Sequence, residues 1–122
     1  MIKIIGKNKN RIFRKQRLKG KVSGTESKPR LIMFKSLKNL YVQLIDDEKQ
    51  NTILSLSTLN KEYFGKLKSK KNKDAAKKIG EIIAQKSIEK GIKNVVFDRN
   101  GYKYHGKIKL FADSARNKGL IF

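Results

Sequence analysis

The chain has no cysteine and a single histidine, His105. Disulfides and thiolate-bound zinc are therefore excluded, and one chain cannot assemble a histidine-rich metal site. Without cysteine the redox compartment leaves no mark on the sequence. Acidic residues are also scarce, with ten Asp and Glu against 31 Lys and Arg. No stretch approaches the ~20 consecutive apolar residues of a membrane-spanning helix. The N-terminal MIKIIGKNKNRIFRKQRLKGK lacks the apolar core of a secretory signal. An organelle transit peptide, also basic and acid-poor, stays compatible with it.

What the chain has in excess is positive charge. A formal charge of +21 on 122 residues makes the free protein repel itself unless a polyanion neutralises it. Counterion release from nucleic-acid phosphates turns the same charge into affinity. An anionic membrane is the competing polyanion, but the basic residues are not joined to a long apolar helix face. Charge alone therefore points to nucleic acid. The length suits one domain and is too short for two ordinary ones. Lysine supplies 25 of the 31 basic residues, and with abundant Ile and Asn this suggests an AT-rich genome.

Residues 1–30 hold eleven basic residues and one acid, Glu26. The run RKQRLKGKVSGTESKPR has few apolar side chains and ends in turn-forming Gly, Ser and Pro. It buries too little surface to offset its ordering entropy when alone. A solvated tail is the plain reading, and an arm ordered by phosphates is favoured by the charge density. Ile12, Phe13 and Leu18 would line one side of a short helix in that state.

The folded part starts after Pro29. RLIMFKS (30–36) and LYVQLID (40–46) read as strands joined by a hairpin, and DEKQN (47–51) as a second turn. TILSLST (52–58) reads as a third strand that fixes no single clean face. KEYFGKLKSKKNK (61–73) is a connection with six lysines and one glutamate. Asn72 is placed to cap the helix that follows. In DAAKKIGEIIAQKSIEKG, Ala75, Ala76, Ile79, Ile82, Ile83 and Ile88 form one helical stripe, and Gly91 ends it. IKNVVFD (92–98) reads as a short, fully buried strand. KIKLFADSARNKG (107–119) reads as a final helix stopped by Gly119. The order β-β-β-α-β-α predicts a mixed four-stranded sheet with packed helices, an α/β fold or α+β under another naming habit.

The segment FDRNGYKYHG (97–106) joins the last strand to the last helix, where open α/β sheets place ligand sites. His105 and Asp98 would be the acid–base candidates. Yet there is no G-x-S-x-G turn, and the first strand offers no carboxylate for a hydrolytic metal centre. A helix-start histidine bonded to backbone is the plainer reading of His105. Binding uses more of the loop. Arg99, Lys103 and Lys107 bring charge, and Tyr102 and Tyr104 bring planar faces for stacking. Gly101 and Gly106 remove Cβ bulk where a sugar–phosphate chain approaches. Gly106 and Lys107 open the last helix, whose free N–H groups favour an anion. Core packing competes for the tyrosines and is expected to claim at least one of them.

Three stretches carry a resemblance: GTESKPRLIMFKSLKNLYVQLIDDE, STLNKE, and AAKKIGEIIAQKSIEKGIKNVVFDRNGYKYHGKIKLFADSARNKGLIF. With the basic arm they cover nearly the whole chain, and KPRL, FKSLKNLYVQ and FDRNGYKYHG are the most specific. The sequence resembles the bacterial-type large-subunit ribosomal protein L-eighteen family, the 5S rRNA binders. The resemblance implies a ribonuclease H-like architecture without nuclease activity, no cofactor and no small-molecule substrate. It implies a central-protuberance protein that joins 5S rRNA to 23S-type rRNA beside neighbouring large-subunit proteins, in a bacterial or plastid ribosome. Residues 1–28 become an RNA-binding arm and 29–122 the 5S rRNA-binding domain. Arg11, Arg14, Lys15, Arg17, Lys19 and Lys21 become phosphate ligands. Arg30, Phe34, Lys35, Ser36, Lys38, Asn39 and Tyr41 match the hairpin that faces 5S rRNA, and Arg99, Tyr102, Tyr104 and His105 its loop contacts. Two departures stand out. Asn100 occupies a place often held by glycine, and Leu37 one usually polar. Asn tolerates positive φ better than most residues. A free-standing RNA-processing nuclease and an accessory nucleic-acid-binding module are the alternatives.

Overall fold

The computed structural model describes residues 23–65 and 72–122. Strands β1 (Arg30–Lys35), β2 (Leu40–Asp46) and β3 (Asn51–Ser57) are followed by helices α1 (Lys61–Phe64) and α2 (Lys73–Glu89). Strand β4 (Val96–Asp98) and helix α3 (Lys107–Asn117) complete the order. The sheet runs β3-β2-β1-β4. β1, β2 and β3 form an antiparallel meander, and β4 adds to β1 in parallel. The expected mixed four-stranded α/β sheet is what forms.

The alternation of β1 and β2 decides which face is buried. Leu31, Met33, Leu40, Val42 and Leu44 are fully buried. With Ile79 and Ile83 of α2, and Ile108 and Phe111 of α3, they make one core. α2 lies against β2 and β3 and packs along α3. Phe97 of β4 reaches Phe111 of α3 at 6.0 Å between ring centroids. Both long helices thus cover one face of the sheet. Register puts Ile32 and Phe34 beside Gln43 and Tyr41, and these beside Ser55 and Ser57, on the other face. Among the described residues no helix lies on that second face, and Phe34 keeps 43% of its surface exposed.

The α2–α3 contact depends on Gly80. A Cβ there would sit 2.6 Å from the Phe111 carbonyl oxygen and 2.5 Å from the Ser114 hydroxyl. That hydroxyl instead donates to the Lys77 carbonyl at 2.6 Å and ties the helices together. Asn72 caps α2 as expected, its side chain accepting from the Ala75 N–H at 2.9 Å.

Two details differ from the sequence expectation, and a third, the unclear face of β3, was expected and finds its reason here. β3 lacks a clean face because Leu44 pairs with Leu54 while Ile45 pairs with Thr52, a register shift that leaves Ile53 extra. Such a bulge breaks the two-residue alternation. β4 is three residues long rather than 92–98, and its Val96 and Phe97 are only half-buried. Preceding residues turn to the C-terminus instead. Val95 donates to Ile121, and Ile121 donates to Lys93. Among the described residues β1 alone pairs with β4, and the terminal residues lie beside the segment that leads into it. Lastly, α1 forms where only a connection was expected. Asn60 caps it by accepting from the Glu62 N–H, and Phe64 is fully buried.

Candidate nucleic-acid interface

The β1–β2 hairpin and the 99–106 loop meet at one end of the sheet. The hairpin closes on Ser36 and Asn39. The Ser36 hydroxyl donates to the Asn39 carbonyl and accepts from the Asn39 N–H, each at 3.0 Å. Asn39 also accepts from the Thr58 hydroxyl at 3.0 Å, fastening the end of β3 to the same turn. Leu37 and Lys38 are left at the exposed tip, Leu37 at 81%. Ser36 and Asn39 therefore shape this tip.

The loop is anchored by one tyrosine and displays the other. The Tyr102 hydroxyl accepts from the Lys35 N–H at 3.2 Å, and the Lys35 ammonium lies 4.6 Å above its ring. Tyr102 packs against the core. Tyr104 is exposed, set edge-on to Phe97, and its hydroxyl accepts from Arg116 at 2.8 Å. The turn that precedes Tyr102 uses left-handed backbone at Asn100 (φ 55°) and Gly101 (φ 77°). Asn100 thus takes the conformation that glycine usually supplies there. His105 is exposed near Lys103, and Gly106 (φ 59°) turns the chain into α3 at Lys107.

Asp98 does not face His105 across a catalytic gap. One oxygen accepts from the Arg30 guanidinium at 2.8 Å and the other from the Asn100 N–H at 2.8 Å. No hydrogen bond joins it to His105 among the described residues. Nor do the described residues contain a group of three His, Asp or Glu arranged to hold a metal ion. The acid shapes the strand end.

Arg30 sits apart from the other hairpin candidates. Its register partner is Ile45, whereas Phe34 pairs with Tyr41, so four residues of strand, about 13 Å, separate the two positions. Its guanidinium is gripped by Asp47 as well as Asp98, through 2.9 and 3.1 Å bonds to the two Asp47 oxygens. Burial works against the Arg30 charge, but these carboxylates outweigh it and raise its pKa. The Arg30 hydrogen bonds, opposed by burial and aided by the Gly24 N–H, hold the Asp47 carboxyl below its ordinary value. Sequence reasoning missed this partner because Asp47 lies in what reads as a plain turn.

These contacts give the molecule two unlike ends. Glu26, Asp46, Asp47 and Glu48, four of the ten acids, gather at the β2–β3 turn, where Glu26 pairs with Lys49 at 2.8 Å. The opposite end carries Lys35, Lys38, Arg99 and Lys103 and the start of α3. Sequence reasoning did not single out Gln43. Its signal was the alternation that puts Tyr41 and Gln43 on one face. Arg11, Arg14, Lys15, Arg17, Lys19 and Lys21 lie outside the described residues, as do the lysines of 66–71.

Comparison with known proteins adds to this geometry. Residues 5–122 match the model of the family described as "Ribosomal L18 of archaea, bacteria, mitoch. and chloroplast". The chain is 52% identical over 122 residues to large ribosomal subunit protein uL18 of Finegoldia magna, covering both chains fully. It is 54% identical over 112 residues to the protein of that name from Dictyoglomus thermophilum, 92% of each chain. The uL18 protein of Thermotoga neapolitana is 51% identical over the full length of both.

Proposed function

Because the chain belongs to the ribosomal L18 family, we propose that it is a non-catalytic constituent of the large ribosomal subunit that binds 5S rRNA and helps attach it to 23S-type rRNA. Full-length identity near 50% to bacterial uL18 proteins supports the ribosomal part of this reading. The observation that carries the RNA part is the cationic end of the sheet. Two aromatic rings, Phe34 and Tyr41, lie there 6.2 Å apart next to the exposed hairpin tip and the 99–106 loop. Phosphates favour such charge, and unpaired bases favour such rings.

In this reading residues 1–28 supply an arm and residues 29–122 the domain. The nine Lys and Arg of residues 1–22, with no acid among them, contribute sequence-independent phosphate binding. Gly24 is fastened by its N–H to Asp47 at 2.6 Å and accepts from the Asp47 N–H at 3.0 Å. That supports an arm rooted at this point. Phe34, Lys35, Ser36, Lys38, Asn39 and Tyr41 face 5S rRNA together with Arg99, Tyr104, His105 and Lys107. Tyr102 serves chiefly as the anchor of that surface, and Arg30 as its brace. The setting is a bacterial or plastid ribosome, at the central protuberance.

Binding of the full chain to a 5S rRNA transcript, compared with duplex DNA of equal length, tests the proposal. Preference for 5S rRNA that persists at elevated salt is expected. Equal affinity for both would replace it with a general nucleic-acid-binding module, and divalent-metal-dependent cleavage would replace it with a nuclease. Co-sedimentation with assembled large subunits, followed by RNA crosslinking, checks the ribosomal placement.

A further inference from the structure

The uncovered sheet face holds more than two exposed rings. Ile32, Phe34, Ser36, Tyr41, Gln43 and Asn100 line an open hollow of about 530 Å³ there. Ile32 and the two rings make its apolar walls, and the exposed Gln43 stands beside Ile32 in the strand register. Phe34 and Tyr41 are tilted 41° to each other, so they do not stack flat upon one another and Phe34 stays 43% exposed. Burying a large exposed ring is favourable, and here Ile32, Phe34 and Tyr41 adjoin on one uncovered face.

We propose that this hollow receives a single unstacked nucleobase of the bound RNA, laid against the Phe34 ring, with the Gln43 amide hydrogen-bonding the edge of the base. This deepens the RNA-binding reading and rests on it. Three features select a base over other occupants. A planar heteroaromatic ring fits an aromatic floor, and base–aromatic stacking tolerates any base. An amide offers both a donor and an acceptor, which is what a base edge requires. A cation stands close by. Lys38 is exposed at the hairpin tip two residues from Ser36, so a nucleotide's phosphate is welcome where an apolar peptide gains nothing from charge. The neighbouring carboxylate, Asp98, is already occupied by Arg30.

The test compares full-length wild type with Phe34→Leu, Phe34→Trp and Gln43→Ala on a 5S rRNA transcript, by filter binding and by base-specific chemical probing. Phe34→Leu keeps apolar bulk and removes the ring face, so it should weaken binding about 5- to 100-fold. It should also expose at least one unpaired base that wild type protects, while the rest of the footprint stays. Phe34→Trp should retain that protection, and Gln43→Ala should weaken binding with less loss of protection. Phe34 is exposed, so melting temperatures should be unchanged, which separates a binding defect from unfolding. If Phe34→Leu binds and protects like wild type, the hollow does not hold a base, although RNA binding elsewhere would stand. If wild type itself fails to bind 5S rRNA, the broader reading fails instead. Should RNA-free wild type dimerise in sedimentation while Phe34→Leu stays monomeric, a second copy covers this face and the proposal is overturned.

Discussion

At the scale of single residues, the two tyrosines of the loop divide labour. Tyr102 holds the loop to the end of β1 through its hydroxyl and ring. Tyr102→Phe should therefore lower stability by about 0.5–1.5 kcal/mol in urea unfolding, with little direct effect on RNA affinity. Tyr104 presents an exposed ring. Tyr104→Ala should weaken 5S rRNA binding by about 1–3 kcal/mol with a nearly unchanged melting temperature. A variant that unfolds instead would make Tyr104 a packing residue. Asp47 gives a pH prediction. Its folded-state pKa is depressed chiefly by Arg30, so its stabilisation is present above the ordinary aspartate value, about 3.9. That stabilisation disappears as pH falls through the lower folded value. Asp47→Asn should cost about 1–3 kcal/mol at neutral pH and flatten the loss of stability below about pH 4, as measured by melting across pH.

At the scale of elements, the helix layer depends on two local devices. The cap at Asn72 was legible because Asn stands directly before a run with helical periodicity, and Asn72→Ala should cost about 1 kcal/mol. The other device was not legible. Gly80 lies inside a helical pattern, where glycine alone signals only a weak position. Its reason emerges when α3 brings Phe111 and Ser114 against it. Gly80→Ala should destabilise by about 1–3 kcal/mol through overpacking of the α2–α3 crossing, read as a lower denaturation midpoint with an unchanged denaturant slope. The short α1 and the shortened β4 escaped the sequence for a related reason. A four-residue helix shows too little periodicity to detect, and an edge strand is defined by what lies next to it.

At the scale of the whole molecule, charge is distributed by region more than by residue. Thirteen of the 31 cationic side chains, and none of the ten acids, fall in residues 1–22 and 66–71. Four of the acids gather near the β2–β3 turn, leaving the hairpin and loop end cationic. Such polarity orients a protein on a polyanion before the two touch. Binding to 5S rRNA should weaken steeply with salt. Deleting residues 1–22 should flatten the slope of log affinity against log salt by roughly 0.7–0.9 for each phosphate the arm no longer neutralises. A slope unmoved by the truncation would remove the arm from the binding mechanism.

The sequence by itself determined the order of the strands and long helices, the buried stripe of each long helix and the cationic character of the chain, because periodicity, capping residues and charge are local properties. It also marked Asn100 as a residue able to take positive φ, a requirement of one tight turn. Only the tertiary structure decided that Arg30 braces two carboxylates, one of them 68 residues distant. The same holds for Tyr102 as the anchoring tyrosine, and for Phe34, Tyr41 and Gln43 as neighbours on an uncovered face. Those outcomes depend on strand register and on which side the helices pack. Both are settled by residues far apart in the chain meeting in space, so no local pattern could contain them.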